Sequence, residues 1–107
     1  MRLIAAKELK EKLDRGDPVK LVNALGEWEY RAKHIPGSLH FSTAEETLEG
    51  LNPDDEIVVH CSNPSCQASV GLYQFLERNG YRNVRRFAGG LQEWEDAGFP
   101  LEGEMVG

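Results

Sequence analysis

Few features of this sequence suggest a chain that depends on cross-links, lipid or nucleic acid. Of its 107 residues only two are cysteines, too few for the disulfide framework of a small secreted scaffold. They stand five positions apart, Cys61 and Cys66, so a bond between them would close only a tiny loop. No stretch approaches the roughly 20 apolar residues of a membrane span. Lys7, Glu8 and Lys10 interrupt any leader-like apolar run near the start. Basic residues are also scarce: 12 Lys and Arg against 18 Asp and Glu give a net charge of -6. Nucleic-acid binding needs clustered cations to displace counterions from phosphates. The only local cluster, Arg82, Arg85 and Arg86, reads as a turn and a solvated strand edge. Nucleic acid and membrane are therefore not expected partners. A thiol kept for chemistry rather than cross-linking points to a reducing cytoplasm.

The remaining composition, 40% hydrophobic and 28% charged, is that of a globular domain. A chain of this size buries roughly two-thirds of its unfolded surface. It needs no disulfide or metal to fold, and residues 1–107 read as one domain without repeats or linkers.

Short β-rich runs alternate with helical patterns, which predicts an α/β fold with parallel strands and crossover helices. Arg2–Ile4 reads as a short first strand. Ala6–Arg15 reads as a helix stopped by Gly16. Val19–Leu25 has the length and apolarity of a strand buried on both faces. A helical turn around Trp28–Arg31 precedes His34-Ile35-Pro36-Gly37, which cannot be helical because of Pro36 and Gly37. Ser38–Phe41 reads as a strand. Ser42 or Thr43 caps a helix through Leu51, with Glu45 and Glu46 in its first turn. Glu56–His60 is the clearest strand. A helix follows from about Gln67 to Asn79, with Ala68, Leu72, Phe75 and Leu76 on one stripe. Val84–Phe87, the Gly89-Gly90 pair and a helix over Leu91–Ala97 complete the pattern.

Cys61 follows the clearest strand directly and opens a polar loop, Ser62-Asn63-Pro64-Ser65-Cys66-Gln67-Ala68, that leads into a helix. Ligands of open parallel sheets bind beyond the carboxyl ends of the strands. Loop amides turned inward and a helix N-terminus both favour an anion there. Both lower a thiol pKa, and both would stabilise a terminal persulfide. The competing reading is a buried cysteine acting as a small hydrophobe. The chemical reading requires amides wrapped around the sulfur and fails if packed side chains wall it off.

Three motifs, in this order, resemble the single-domain rhodanese (sulfurtransferase) family over nearly the whole chain. His34-Ile35-Pro36-Gly37-Ser38 resembles its His-Ile-Pro-Gly-Ala turn, and Ile57-Val58-Val59-His60-Cys61 its strand and catalytic cysteine. Phe87-Ala88-Gly89-Gly90-Leu91, with Trp94 and Ala97-Gly98-Phe99-Pro100, resembles its closing segment. The resemblance implies a three-layer domain, a mostly parallel sheet of about five strands with helices on both faces. It implies Cys61 as the nucleophile that accepts a sulfane sulfur and passes it to a thiol, with no cofactor and no metal. Donors would be thiosulfate, a polysulfide or a protein persulfide. A monomer or weak dimer is expected. His34 and Trp94 are expected to be structural, and Gly89 and Gly90 to let backbone pass close to the loop.

The chain departs from the family in three places. Asn23-Ala24-Leu25 stands where the family usually has Asp-x-Arg. The active loop is about two residues longer than usual. It also lacks the usual closing Arg, since nothing basic lies between Cys61 and Arg78. Weak use of the thiosulfate dianion follows, because charge-assisted hydrogen bonds are the stronger kind. Cys66 could resolve or relay a persulfide, or merely fill space. Rival readings are weaker. A cysteine phosphatase needs Arg six positions after the nucleophile, where Gln67 stands. A zinc site from His60, Cys61 and Cys66 is disfavoured because His60 and Cys61 point to opposite faces of the strand. The serious alternative is a non-catalytic module for binding or for sensing persulfide or redox state.

Overall fold

Alternation of apolar side chains through Leu21-Val22 and Ile57-Val58-Val59 divides the core into two layers, because successive strand residues point to opposite faces. The computed structural model describes residues 1–106. Its elements are α1 (Ala6–Arg15), β1 (Val19–Asn23), α2 (Glu27–Ala32), α3 (Ala44–Gly50), β2 (Glu56–His60), α4 (Ala68–Arg78), β3 (Val84–Phe87) and α5 (Gly90–Asp96). The three strands pair in parallel in the order β1-β2-β3. Residues at both flanks extend the sheet by single parallel bridges, Leu3 beside Arg86 and Leu39 beside Val22. The sheet therefore has five strips, three of them full strands. The expected first strand and the expected strand at Ser38–Phe41 shrink to these bridges.

On one face Leu9, Leu21, Val58, Phe87 and Trp94 pack together; on the other, Val22, Ile57, Val59, Tyr73, Leu76 and Val84. The first group joins α1 and α5 to the sheet and the second joins α4. Trp94 is buried and donates from Nε1 to the Pro100 carbonyl at 2.8 Å, the structural role expected of it. His34 is likewise tied into its turn, Nδ1 to the Tyr30 carbonyl at 2.7 Å.

Local signals set the boundaries. Gly16 takes φ 78°, and its N–H closes α1 on the Leu13 carbonyl. Thr43 caps α3, its hydroxyl accepting from the Glu46 N–H at 3.1 Å, while the Glu46 carboxylate accepts from the Ser42 N–H at 2.9 Å. One expectation fails in α4. Its buried residues are Ser69, Tyr73 and Leu76, whereas Ala68 is exposed and Leu72 and Phe75 are half-buried. The inward stripe is turned by one residue, and a serine stands on it.

β3 also differs from expectation. It lies between β2 and the Leu3 bridge, so it is no solvated edge. Arg85 faces α1 and pairs with Glu8 at 2.9 Å and Glu56 at 3.3 Å. Arg86 points to the opposite face and is 9% exposed.

Candidate active site

Cys61 sits one residue past the end of β2, at the carboxyl edge of the sheet. Period-two alternation puts its side chain on the α4 face, with Ile57 and Val59, and His60 on the other. His60 is fully buried near Phe87, their ring centroids 6.4 Å apart. Burial pushes its imidazole down from the ordinary 6.5 to about 4, opposed only in part by a hydrogen bond to the Cys61 carbonyl. It is neutral, donates from Nδ1 at 3.2 Å, and leaves Nε2 without a partner. His60 is therefore not placed to serve as a base for Cys61.

The sulfurs of Cys61 and Cys66 are bonded to each other, across a Cα separation of 6.4 Å. In this oxidised form Cys61 is 1% exposed, and Cys66, on the solvent side, is half-buried. The open thiol expected at the loop mouth is thus covered, and the group bonded over it is the second cysteine rather than a wall of core side chains.

The loop conformation is held from several sides. The Ser65 N–H donates to Asn63 Oδ1 at 2.9 Å, and the Cys66 N–H to the Asn63 carbonyl at 3.1 Å. These two amides turn toward Asn63, not toward the sulfur. From α5, the Leu91 N–H reaches the Cys61 carbonyl at 3.0 Å and the Gln92 N–H the Ser62 carbonyl at 2.8 Å. Gly90 makes this approach possible. It takes φ 61°, and a Cβ there would collide with the Cys61 carbonyl and the Ser62 backbone. Gly89 has no such backbone constraint, since a Cβ there would meet only the Glu93 side chain. Gln67 is the N-cap residue of α4 but makes no side-chain cap, and Pro64 and Ser65 are exposed.

Beneath the loop lies a contact absent from the sequence reading. Ser69, in the first turn of α4, places its hydroxyl 3.3 Å from Cys61 Sγ. Arg86 Nε donates to that same hydroxyl at 2.8 Å, and Arg86 Nη2 donates to the Cys66 and Pro64 carbonyls at 3.3 and 3.4 Å. The loop lacks its own Arg, yet a guanidinium from β3 underlies it. Two signals could have found this arrangement. Residue 86 shares a face with Val84 in a strand that pairs on both sides, and Ser69 interrupts an otherwise apolar helix stripe.

Asn23, at the end of β1, accepts from the Leu25 N–H at 2.8 Å but leaves its buried Nδ2 unpartnered. It borders a cleft of about 320 Å³ between α3 and α4, walled by Phe41, Leu72 and Phe75, which meets the loop at Ala68. Among the described residues no cluster of three or more His, Cys, Asp and Glu side chains could hold a metal ion.

A parallel three-layer α/β sheet with a cysteine at the carboxyl end of its central strand, followed by a loop and the start of a helix, is the rhodanese-like architecture. Residues 5–97 match the profile of the rhodanese-like domain, and the chain belongs to that family. It is 35% identical over 107 residues to the HTH-type transcriptional regulator Rv0324 of Mycobacterium tuberculosis, an alignment that takes in 97% of this chain and 46% of that protein. It is 26% identical over 93 residues to YrkF of Bacillus subtilis, a candidate sulfur carrier protein, covering 85% of this chain and 49% of YrkF. The chain thus spans about half the length of the curated relatives it matches. The solution structure of the rhodanese-like domain of the Anabaena protein Alr3790 superposes with a TM-score of 0.87 at 21% identity, over 98% of this chain and 81% of the other. No helix is long and apolar enough to cross a membrane.

Proposed function

We propose that residues 1–107 act as one sulfur-carrying domain in which Cys61 accepts a sulfane sulfur as a persulfide and passes it to a thiol. Membership of the rhodanese-like family supports this reading, and so does the name of YrkF. The observation that carries it is the pairing of two cysteines at the carboxyl edge of the sheet, within bonding reach of each other.

The chemistry closes without a cofactor. The Cys61 thiolate attacks the outer sulfur of a donor R–S–SH, giving Cys61–S–SH and releasing RS⁻. An external thiol takes that sulfur, or Cys66 resolves it. In resolution, Cys66–SH with Cys61–S–S⁻ gives the Cys61–Cys66 disulfide and HS⁻. A thiol reductant then restores both cysteines. The loop from Ser62 to Ala68, comprising Ser62, Asn63, Pro64, Ser65, Cys66, Gln67 and Ala68, receives the terminal sulfur. In the oxidised form its amides at Ser65 and Cys66 bond to Asn63, so reception of an anion calls for them to leave those partners. Polysulfides or protein persulfides are the favoured donors. Thiosulfate is a poor one, because no Lys or Arg lies between Cys61 and Arg78 to hold a dianion, and saturation at micromolar thiosulfate would refute that preference.

A second reading is supported by the relative named as a transcriptional regulator and by the buried disulfide. There the domain senses persulfide or oxidant and does not turn over. One experiment separates the two. Reduced protein incubated with polysulfide should gain about 32 Da, one sulfur, and Cys61→Ser should abolish the gain. Carriage predicts that added thiol discharges the adduct repeatedly, and that Cys66→Ser lengthens its lifetime. A single conversion to the disulfide, without turnover, favours sensing. No adduct from any donor removes the carrier reading.

A further inference from the structure

Two neighbouring arginines on β3 are used in opposite ways. Arg85 is neutralised by Glu8 and Glu56. Arg86 is more deeply buried, and among the described residues no carboxylate lies within ion-pair distance of it. Its donors go instead to the Ser69 hydroxyl and the Cys66 carbonyl, which lie 3.3 and 3.6 Å from Cys61 Sγ, and to the Pro64 carbonyl. Burying a guanidinium without a counter-charge is expensive, and a protein retains one where an anion completes it.

We propose that Arg86, acting through Ser69, holds the sulfur of residue 61 in its anionic form, as thiolate and as persulfide, in place of the arginine that the loop lacks. The inference rests on the reading of Cys61 as a sulfur carrier and adds the source of its charge. With Arg86 Nε–H donating to Ser69 Oγ, the serine proton is left to point at Sγ, 3.3 Å away. A chain of donors of this kind strengthens when its far end is an anion. The other groups around the sulfur supply no competing charge. The polar groups at Sγ are the Ser69 hydroxyl of α4 at 3.3 Å and the Cys66 carbonyl of the loop at 3.6 Å, both bound by Arg86. His60 of β2 lies on the opposite face and is neutral. From α5 comes backbone, the Leu91 and Gln92 amides on the Cys61 and Ser62 carbonyls, with Glu93 turned to Gly89. Arg86 is a positioning residue in this scheme. Ser69 is the group that touches the reacting atom.

The test titrates Cys61 alone, in the reduced 107-residue chain carrying Cys66→Ala, by the pH dependence of iodoacetamide alkylation. The midpoint should lie at least one unit below the ordinary thiol value of about 8.5. Arg86→Met should raise it by a unit or more, lowering the alkylation rate at neutral pH about tenfold, and Arg86→Lys should recover most of that shift. Ser69→Ala, a small change that leaves the arginine in place, should raise it by a lesser amount. If Arg86→Met fails to fold, Ser69→Ala decides alone. Unchanged midpoints in folded variants overturn the proposal, as does a shift in Arg86→Met with none in Ser69→Ala or no recovery with lysine. Sulfur uptake by the wild type is read separately by mass. Uptake with unmoved midpoints sinks the Arg86 role alone, whereas moved midpoints without uptake sink only the carrier reading.

Discussion

His60 adjoins Cys61 in sequence but serves the fold rather than the proposed site. Its side chain is sealed beside Phe87 on the face away from Cys61 sulfur, and burial holds its imidazole at about 4 against 6.5 in the unfolded chain. The linkage sign follows. Between those two values the unfolded state binds the proton and the folded state does not, so stability falls as pH drops from 6.5 toward 4 and is fully present above 6.5. A shift of this size corresponds to about 3 kcal/mol, lost across that window. Denaturant melts of wild type and His60→Gln at pH 7 and pH 4.5 should differ accordingly, with the variant showing a shallower acid loss. Equal slopes would mean that the ring is solvated. At this scale the sequence was legible for Cys61 at the strand end and opaque for the groups beneath it. Cys61, His34, Trp94 and Gly90 carry motif patterns and stand where those patterns put them, whereas Gly89 makes no backbone approach of its own. Arg86 and Ser69 matter only through contacts between distant segments, 17 residues apart. No local pattern separates Arg86 from its carboxylate-paired neighbour Arg85 until strand order is known.

Among the elements, α5 fixes the loop. Its first residue, Gly90, lies in the left-handed region, and its next two amides fasten the carbonyls of residues 61 and 62. Gly90→Ala should cost about 2 kcal/mol or more, from strain at positive φ plus collision with backbone. That lowers the unfolding midpoint by about 10 °C or more, while Gly89→Ala should cost less because residue 89 has an ordinary φ of -67° and the collision there is with the Glu93 side chain, without added backbone strain. A scan of both variants with matched circular dichroism checks the ranking. Helix ends were readable because their signals are local: Gly16, Thr43 with Glu46, and the Pro36-Gly37 break. The outer strands were overestimated for an equally plain reason. Arg2–Ile4 and Ser38–Phe41 have strand-like composition, yet each borders the sheet on one side only and keeps a single bridge. The α4 stripe was misassigned by one residue because apolarity was followed, whereas the inward position is taken by Ser69.

For the whole molecule, the two apolar layers account for folding without cross-links. The Cys61–Cys66 bond closes a short loop, and constraining so few residues in the unfolded chain is worth about 2 kcal/mol at most. Full reduction should therefore leave the far-ultraviolet circular dichroism unchanged and a single cooperative unfolding transition, lowered by no more than that amount. Loss of the fold on reduction would contradict it. Parallel strands joined by crossover helices could be read from the alternation of β-rich and helical runs, and the three-layer arrangement from the resemblance carried by the motifs. What the chain is joined to in longer relatives has no trace in that alternation.

The clasp between α5 and the carbonyls of Cys61 and Ser62 also dictates where the site opens. With those two carbonyls anchored, separation of the sulfurs calls for Asn63 to Gln67 to move, breaking the Arg86 contacts to the Pro64 and Cys66 carbonyls and carrying Cys66 away while Cys61 stays over Ser69. In the oxidised form an attacking thiol accordingly meets Cys66 first, and the sulfur it expels is the one already seated against its hydrogen-bond donor.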